Sequence, residues 1–290
     1  MKEITNLRIS ITNRCNLNCP YCHKEGNPDT KKEMTLQEIK DRLSAASQVG
    51  IKDLKITGGE PLIRKDITQI ISAAKNYGFS DNSRTTNGLL LSPIAKQLRD
   101  AGLKRINIGC DSLSESLAKN TKNISEGIKS AKAAGFELIK LNMLVLKDIN
   151  DKEIDNMILF VKETGCVLQL IELIPLNVSK EFFNAHHIPL TQIEERLRQN
   201  AKLVATRDMQ NRSIYELSDE KGTAIIEVVG PSNDHFCENC KKIRITADGQ
   251  IKPCIMVNSN LIEFKNKQSI LDAIDKKVVY NKVGVNSKWK

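Results

Sequence analysis

Three cysteines fall within eight residues, in the run Arg14-Cys15-Asn16-Leu17-Asn18-Cys19-Pro20-Tyr21-Cys22. Iron–sulfur cubanes are normally held by four cysteine thiolates. Three from the protein leave one iron with a free position, and an open position marks a working metal site rather than a structural one. A second triad, Cys237, Cys240 and Cys254, stands far along the chain and again leaves one corner open. Zinc is the competing occupant, completed by His23 in the first triad or His235 in the second. His23 directly follows Cys22 and is poorly placed to share a tetrahedron with it.

Two further runs could meet a ligand. Gly58-Gly59-Glu60-Pro61 follows a strand candidate ending Lys55-Ile56-Thr57. It reads as an ordinary turn or as glycines exposing backbone to a ligand, with Glu60 accepting from an ammonium. Thr86-Asn87-Gly88 follows the next strand.

Repeated βα cycles must position these residues. Strands are expected at Leu7–Thr12, Leu54–Thr57, Asn82–Thr86, Arg105–Cys110, Leu138–Leu146 and Val167–Ile174. A helix from Thr35 to Val49 opens with a Thr35/Glu38 capping box, and another covers Ile67–Tyr77. Gly50, Gly78, Gly102, Gly135 and Gly165 are helix stops. Six cycles predict an α/β fold with a parallel sheet buried on both faces. Functional residues of such folds collect at the C-terminal strand ends, where the cysteine loop, the Gly-Gly turn and Thr86-Asn87 all fall. Beyond Pro175 a helix at Thr191–Asn200 and antiparallel strands at Lys202–Thr206, Ser213–Leu217 and Ala224–Val229 are expected. The domain division is 1–180 and 181–290, with Lys282–Lys290 loosely held. Cys110 and Cys166 read as core residues.

The 290 residues are 40% hydrophobic, enough for a substantial core. No run of eighteen apolar residues and no signal peptide is visible, so a cytoplasmic protein without a membrane partner is expected. Eight cysteines are too few for a disulfide scaffold at this length. The net charge of +9 suits a phosphorylated small molecule or a solvated lysine surface. Only 4% of residues are aromatic, which argues against stacking on nucleic acid.

The CxxxCxxC loop with Tyr21 before its last cysteine, followed by Gly-Gly-Glu-Pro, resembles the radical S-adenosylmethionine (SAM) superfamily. That resemblance implies a partial (β/α)₆ TIM-type barrel. It implies a 4Fe–4S cluster on Cys15, Cys19 and Cys22 whose open iron chelates SAM and yields a 5′-deoxyadenosyl radical. SAM contacts are implied at Tyr21, Gly58, Gly59, Glu60, Thr86 and Asn87. The run from His235 to Gly249, with Cys254, resembles the MoaA family, the GTP 3′,8-cyclases of molybdenum cofactor biosynthesis. There the second triad holds a second 4Fe–4S cluster in a C-terminal antiparallel extension and contacts the guanine of GTP. Substrate contacts are implied at Arg8, Lys55, Lys140, Lys242 and Arg244. The implied reaction is removal of the 3′ ribose hydrogen and attack on C8, giving 3′,8-cyclo-7,8-dihydro-GTP. An electron donor such as ferredoxin or flavodoxin is implied, and a homodimer stays open.

The chain departs from the family pattern at Gly109, where a serine is usual, and at Gln169, where many bacterial members have arginine. Lys242 replaces another arginine, and no Gly-Gly pair ends the chain. The Cys22–Gly26 and Gln169–Glu172 runs resemble archaeal members. Two alternatives stay open here: another two-cluster radical SAM enzyme, or a zinc or iron–sulfur module that binds nucleic acid.

Overall fold

A computed structural model of the chain describes residues 3–114, 121–231, 234–257 and 259–277. Strand and helix alternate through β1 (Asn6–Ser10), α1 (Leu36–Gln48), β2 (Asp53–Thr57), α2 (Ile67–Asn76), β3 (Asp81–Thr86), α3 (Ala95–Asp100), β4 (Arg105–Gly109), α4 (Thr121–Ala133), β5 (Leu138–Val145), α5 (Ile154–Thr164) and β6 (Val167–Glu172). Then come α6 (Lys180–His186), α7 (Thr191–Asn200), β7 (Lys202–Arg207), β8 (Arg212–Asp219), β9 (Gly222–Val229), α8 (Asp234–Glu238), β10 (Lys242–Ile245), β11 (Ile251–Lys252) and α9 (Lys267–Asp275). The expected tail at Lys282–Lys290 lies outside the described residues.

Strands β1 to β6 pair in chain order, each parallel to the next. Parallel neighbours need a crossover on the sheet face, and the intervening helices supply it. Helix α1 shows why the sequence folds this way. Thr35 Oγ1 accepts from Glu38 N at 3.2 Å, and Glu38 returns a bond to Thr35 N at 2.8 Å. Ile39, Leu43 and Ala46 then form one buried stripe. Leu7, Ile9, Leu54, Ile56, Ile106, Ile108, Leu141 and Leu168 are fully buried in the same core. Each such side chain contributes about 1.5–3 kcal/mol on removal from water.

The inner face of the sheet differs from expectation. It is polar, because alternate residues place half-buried Arg8, Lys55 and Asn142 and buried Asn107, Lys140 and Gln169 opposite the helix-facing aliphatics. Arg8, Lys55, Asn142 and Gln169 line a cavity there, so the sheet's interior is not a second apolar core.

The C-terminal third carries the expected antiparallel strands and joins them to the barrel. Strands β7, β8 and β9 are antiparallel to one another as expected, yet β9 pairs parallel with β6. Strand β10, which lies within the second cysteine motif's run, pairs parallel with β1, and β11 is antiparallel on β10. Among the described residues these strands form one eleven-stranded sheet of order β11-β10-β1-β2-β3-β4-β5-β6-β9-β8-β7. An edge strand carries a row of unpaired N–H and C=O groups, and the later strands satisfy both edges of the six-stranded barrel. Among the described residues no helix is long and apolar enough to cross a membrane.

Candidate active site

The first cysteine loop leaves the C-terminal end of β1. Leu17 N donates to Cys15 Sγ and Lys24 N to Cys22 Sγ, both at 3.4 Å. Backbone N–H groups aimed at sulfur are among the levers that tune an iron–sulfur cluster. Burial pushes the Cys22 thiol up, and the Lys24 N–H partly offsets it. The loop is held at its base. Glu33 accepts from Thr12 Oγ1, Asn13 N and Arg14, and Arg64 Nη1 donates to the carbonyls of Ile11 and Met34, each at 2.8 Å.

The Gly-Gly-Glu-Pro turn works differently from the sequence expectation. Gly58 and Gly59 line the cavity, but their bareness serves a close approach to the cysteine loop. Gly59 N donates to Thr12 O at 2.8 Å and Glu60 N to Arg14 O at 2.7 Å. A Cβ on Gly59 would stand 2.1 Å from Arg14 O. Glu60 is fully buried and does not line the cavity. Its carboxylate accepts from Leu62 N at 2.9 Å, Thr86 Oγ1 at 2.9 Å and Asn87 N at 2.7 Å, with Arg84 at 3.5 Å. Glu60 therefore ties the second βα turn to the third, where the expectation had it receiving a ligand's ammonium. Thr86 and Asn87 line the cavity, and Asn87 Nδ2 reaches Asn16 Oδ1 at 2.7 Å. Tyr21 lines it too, its hydroxyl donating to Asp111 Oδ2 at 2.9 Å. Burial and then the Asp111 charge push the phenol far above its ordinary value.

The second triad forms at the opposite end of the sheet. Cys237 lies in α8, Cys240 just before β10 and Cys254 just after β11. Strand β10 runs parallel to β1, so its start lies at the N-terminal end of β1, away from the first triad. All six cysteines line one cavity of about 370 Å³, within the usual range of small-molecule sites, about 300–1,000 Å³. Burial alone would raise the Cys240 thiol, but Lys277, Lys242 and Arg244 bring it below its ordinary value, which favours the thiolate. Among the described residues no three His, Cys, Asp or Glu side chains close on a single-ion site. A cubane demands less convergence than one zinc ion, because its thiolates bind separate irons. Six thiols in two sets, several with N–H groups or cations beside them, are a donor set that fits two such clusters. Neither candidate zinc histidine is free: His23 Nδ1 accepts from Glu25 N at 2.9 Å, and His235 Nδ1 meets Glu238 at 3.2 Å.

Between the triads runs a row of cations. Arg244, Arg8 and Lys55 are register partners across β10, β1 and β2, and adjacent strands are about 4.8 Å apart. Like charges in that arrangement repel. Glu25 relieves part of this, with Arg8 Nη2 at 2.7 Å and Arg244 Nη1 at 3.0 Å on its two oxygens. Burial would raise the Glu25 carboxyl, but Arg8, His23, Arg244 and Lys55 hold it down to about 2. Lys24 and Glu25 sit at φ 47° and 53°, a left-handed pair that aims this carboxylate inward. Lys55 makes no hydrogen bond or ion pair with any described residue, and burial, then Arg8 and Lys242, push its ammonium well below its ordinary value. Lys242 contacts Gln210 Oε1 at 2.5 Å. A half-buried lysine without a described partner, in line with two arginines, has charge that suits a polyanion.

Lys140 stands apart from this group. It is buried against Glu227 and does not line the cavity, whereas Asn142, two residues on along β5, does. Gly109 and Gln169 do line it. Sequence reasoning missed Glu25, Asp111, Arg212 and Lys277, all on the cavity wall. Glu25 had a signal, its place three residues after Cys22; Arg212 had none. Cys110 and Cys166 are buried core residues, as expected.

Residues 9–161 match the Radical SAM superfamily, and residues 166–279 match Molybdenum Cofactor Synthesis C. A probable GTP 3′,8-cyclase of Pyrococcus horikoshii is 41% identical over 286 residues, covering 94% of this chain and 92% of the relative. Its counterpart in Methanocaldococcus jannaschii is 40% identical over 271 residues, covering 90% and 88%. In fold the chain is similar to Streptococcus suis SuiB bound to S-adenosylmethionine, with a TM-score of 0.66, 14% identity, and coverage of 95% of this chain and 65% of that one. It is likewise similar to anSMEcpe with bound AdoMet, with a TM-score of 0.64, 16% identity, and coverage of 96% and 81%.

Proposed function

The chain belongs to the GTP 3′,8-cyclase family of the radical SAM superfamily, and on that premise we propose how its own residues divide the reaction. It is an enzyme of molybdopterin biosynthesis that takes GTP as substrate and uses iron–sulfur clusters and SAM. Cys15, Cys19 and Cys22 hold the cluster that meets SAM, and Cys237, Cys240 and Cys254 hold the second. When bound, the first cluster and SAM together supply a 5′-deoxyadenosyl radical for hydrogen abstraction, chemistry that belongs to the cofactor rather than the protein.

The protein binds, orients and excludes water. The backbone of Gly58 and Gly59, with Thr86, Asn87 and Tyr21, forms the SAM side of the cavity. Arg8, Lys55, Lys242 and Arg244 take the triphosphate, whose charge answers the repulsion along their row. Glu25 holds the two guanidinium groups in place beforehand, so little ordering is left for binding. Leu17, Leu144, Ile171 and Val229 give the cavity apolar wall, which keeps water from a reactive intermediate. A ferredoxin or flavodoxin is the electron-donor class that suits such chemistry.

One observation carries this reading: two cysteine triads from distant parts of the chain face one cavity with a row of arginine and lysine between them. The test is anaerobic incubation with SAM, dithionite and GTP. We expect 5′-deoxyadenosine and a cyclised nucleotide to form together. Equal 5′-deoxyadenosine without GTP, and no cyclised product, would overturn the assignment.

A further inference from the structure

Arg212 reaches the cavity from outside the parallel barrel. It opens β8, and it shares the wall with Arg8, Lys55, Lys242, Arg244 and Lys277. Its side chain is 15% exposed. Its Nε donates to Met209 O at 3.0 Å, and Nη1 lies 2.9 Å from Glu227 Oε1. Its Nη2 makes no hydrogen bond with any described residue. Glu227 is already crowded, since Lys140 meets its other oxygen and Arg207 Nε stands 3.1 Å from Oε1. One carboxylate facing three cations leaves positive charge unbalanced. Arg207 is more exposed and does not line the cavity, so the surplus that faces a ligand is at Arg212.

The register places this charge beside a neutral residue. Glu227 on β9 pairs with Gln169 on β6 and with Ile214 on β8. Arg212 and Gln169 thus reach the cavity on either side of the strand that carries Glu227. Gln169 offers no charge there.

We propose that Arg212 is a phosphate ligand of the substrate, brought in by the antiparallel β7–β8–β9 unit, and that it supplies the cation that this wall lacks at Gln169. The inference rests on GTP as the substrate. A guanidinium suits the task because its planar fork presents paired N–H donors to phosphate oxygens. Met209 takes Nε and Glu227 faces Nη1, which leaves the N–H groups of Nη2 for the ligand.

The test is anaerobic equilibrium dialysis of the cluster-loaded protein with GTP and, separately, guanosine. Arg212→Ala is expected to weaken GTP binding by about tenfold or more, the size of a lost hydrogen bond to a charged group. Guanosine affinity is expected to stay within about twofold, the scatter of neutral changes. Arg207→Ala removes a cation from the same Glu227 without touching the cavity, and its GTP affinity is expected to stay within about twofold. Gln169→Arg added to Arg212→Ala should recover a large part of the loss. Equal GTP losses in the two arginine variants, or an equal loss for guanosine, would overturn the inference while leaving the substrate intact. Wild-type protein that binds no GTP would overturn the substrate assignment and this inference with it. Arg212→Gln carries the same comparison if the alanine variant does not fold.

Discussion

Gly59→Ala is the sharpest test of how the SAM turn meets the first cysteine loop. The added Cβ would lie 2.1 Å from Arg14 O, 2.6 Å from the Arg14 carbonyl carbon and 2.8 Å from Asn13 O. Non-bonded heavy atoms settle near 3.5 Å, so backbone must move by about 1 Å. That shift breaks or bends Gly59 N to Thr12 O at 2.8 Å and Glu60 N to Arg14 O at 2.7 Å. Each is worth about 0.5–1.5 kcal/mol net, so about 1–3 kcal/mol of local stability goes with them. Arg14 immediately precedes Cys15, and a displacement of about 1 Å in a positioned group can cost about 10²-fold in rate. Gly78→Ala is the control: its Cβ meets nothing within 4 Å, while its φ of +83° imposes a left-handed penalty, about 1–2 kcal/mol. Iron and sulfide analysis, the SAM-dependent electron paramagnetic spectrum and thermal melting would be compared across both. Gly59→Ala should lose iron and spectrum from the first cluster while keeping its far-ultraviolet circular dichroism. Gly78→Ala should lose only melting temperature. Full iron, an unchanged SAM spectrum and a wild-type melting point in Gly59→Ala would refute the clamp.

Two further outcomes are expected. On the proposed assignment of one cubane to each triad, Cys22→Ala and Cys254→Ala should each lower bound iron from about eight to about four per chain; one substitution that empties both sites in a folded protein would count against two independent clusters. Glu25→Gln should destabilise the protein by about 3–5 kcal/mol at neutral pH, since it leaves Arg8 and Arg244 without their shared charge. The folded Glu25 value of about 2 lies below its ordinary 4.5, so folding favours the ionised form. That stability is complete above pH 4.5 and drains as pH falls toward 2. Denaturant unfolding of both proteins across this range should show the gap closing as acid is added, and a gap independent of pH would contradict the ion-pair assignment.

Much of the molecule was legible along the chain. Cysteine spacing is local and chemically restrictive, so both triads stand out without any fold. The βα alternation is equally local: Thr35 and Glu38 cap a helix using only each other, and glycines such as Gly102, Gly135 and Gly165 take the positive φ that ends one. Strand limits were displaced by a residue or two, because pairing partners rather than composition decide where a strand stops. Three things needed the tertiary structure. The pairing of β10 with β1 joins residues more than two hundred positions apart, and it alone sets Arg244 beside Arg8. The direction of Glu60 depends on donors from Thr86 and Asn87, which no turn motif contains. The reach of Arg212 into the cavity depends on β9 lying against β6. Residue type and spacing were enough to mark six thiols as candidate metal ligands and to predict a parallel barrel that presents them. Which charges share a wall followed from the folded sheet, because register between distant strands is a property of the whole sheet.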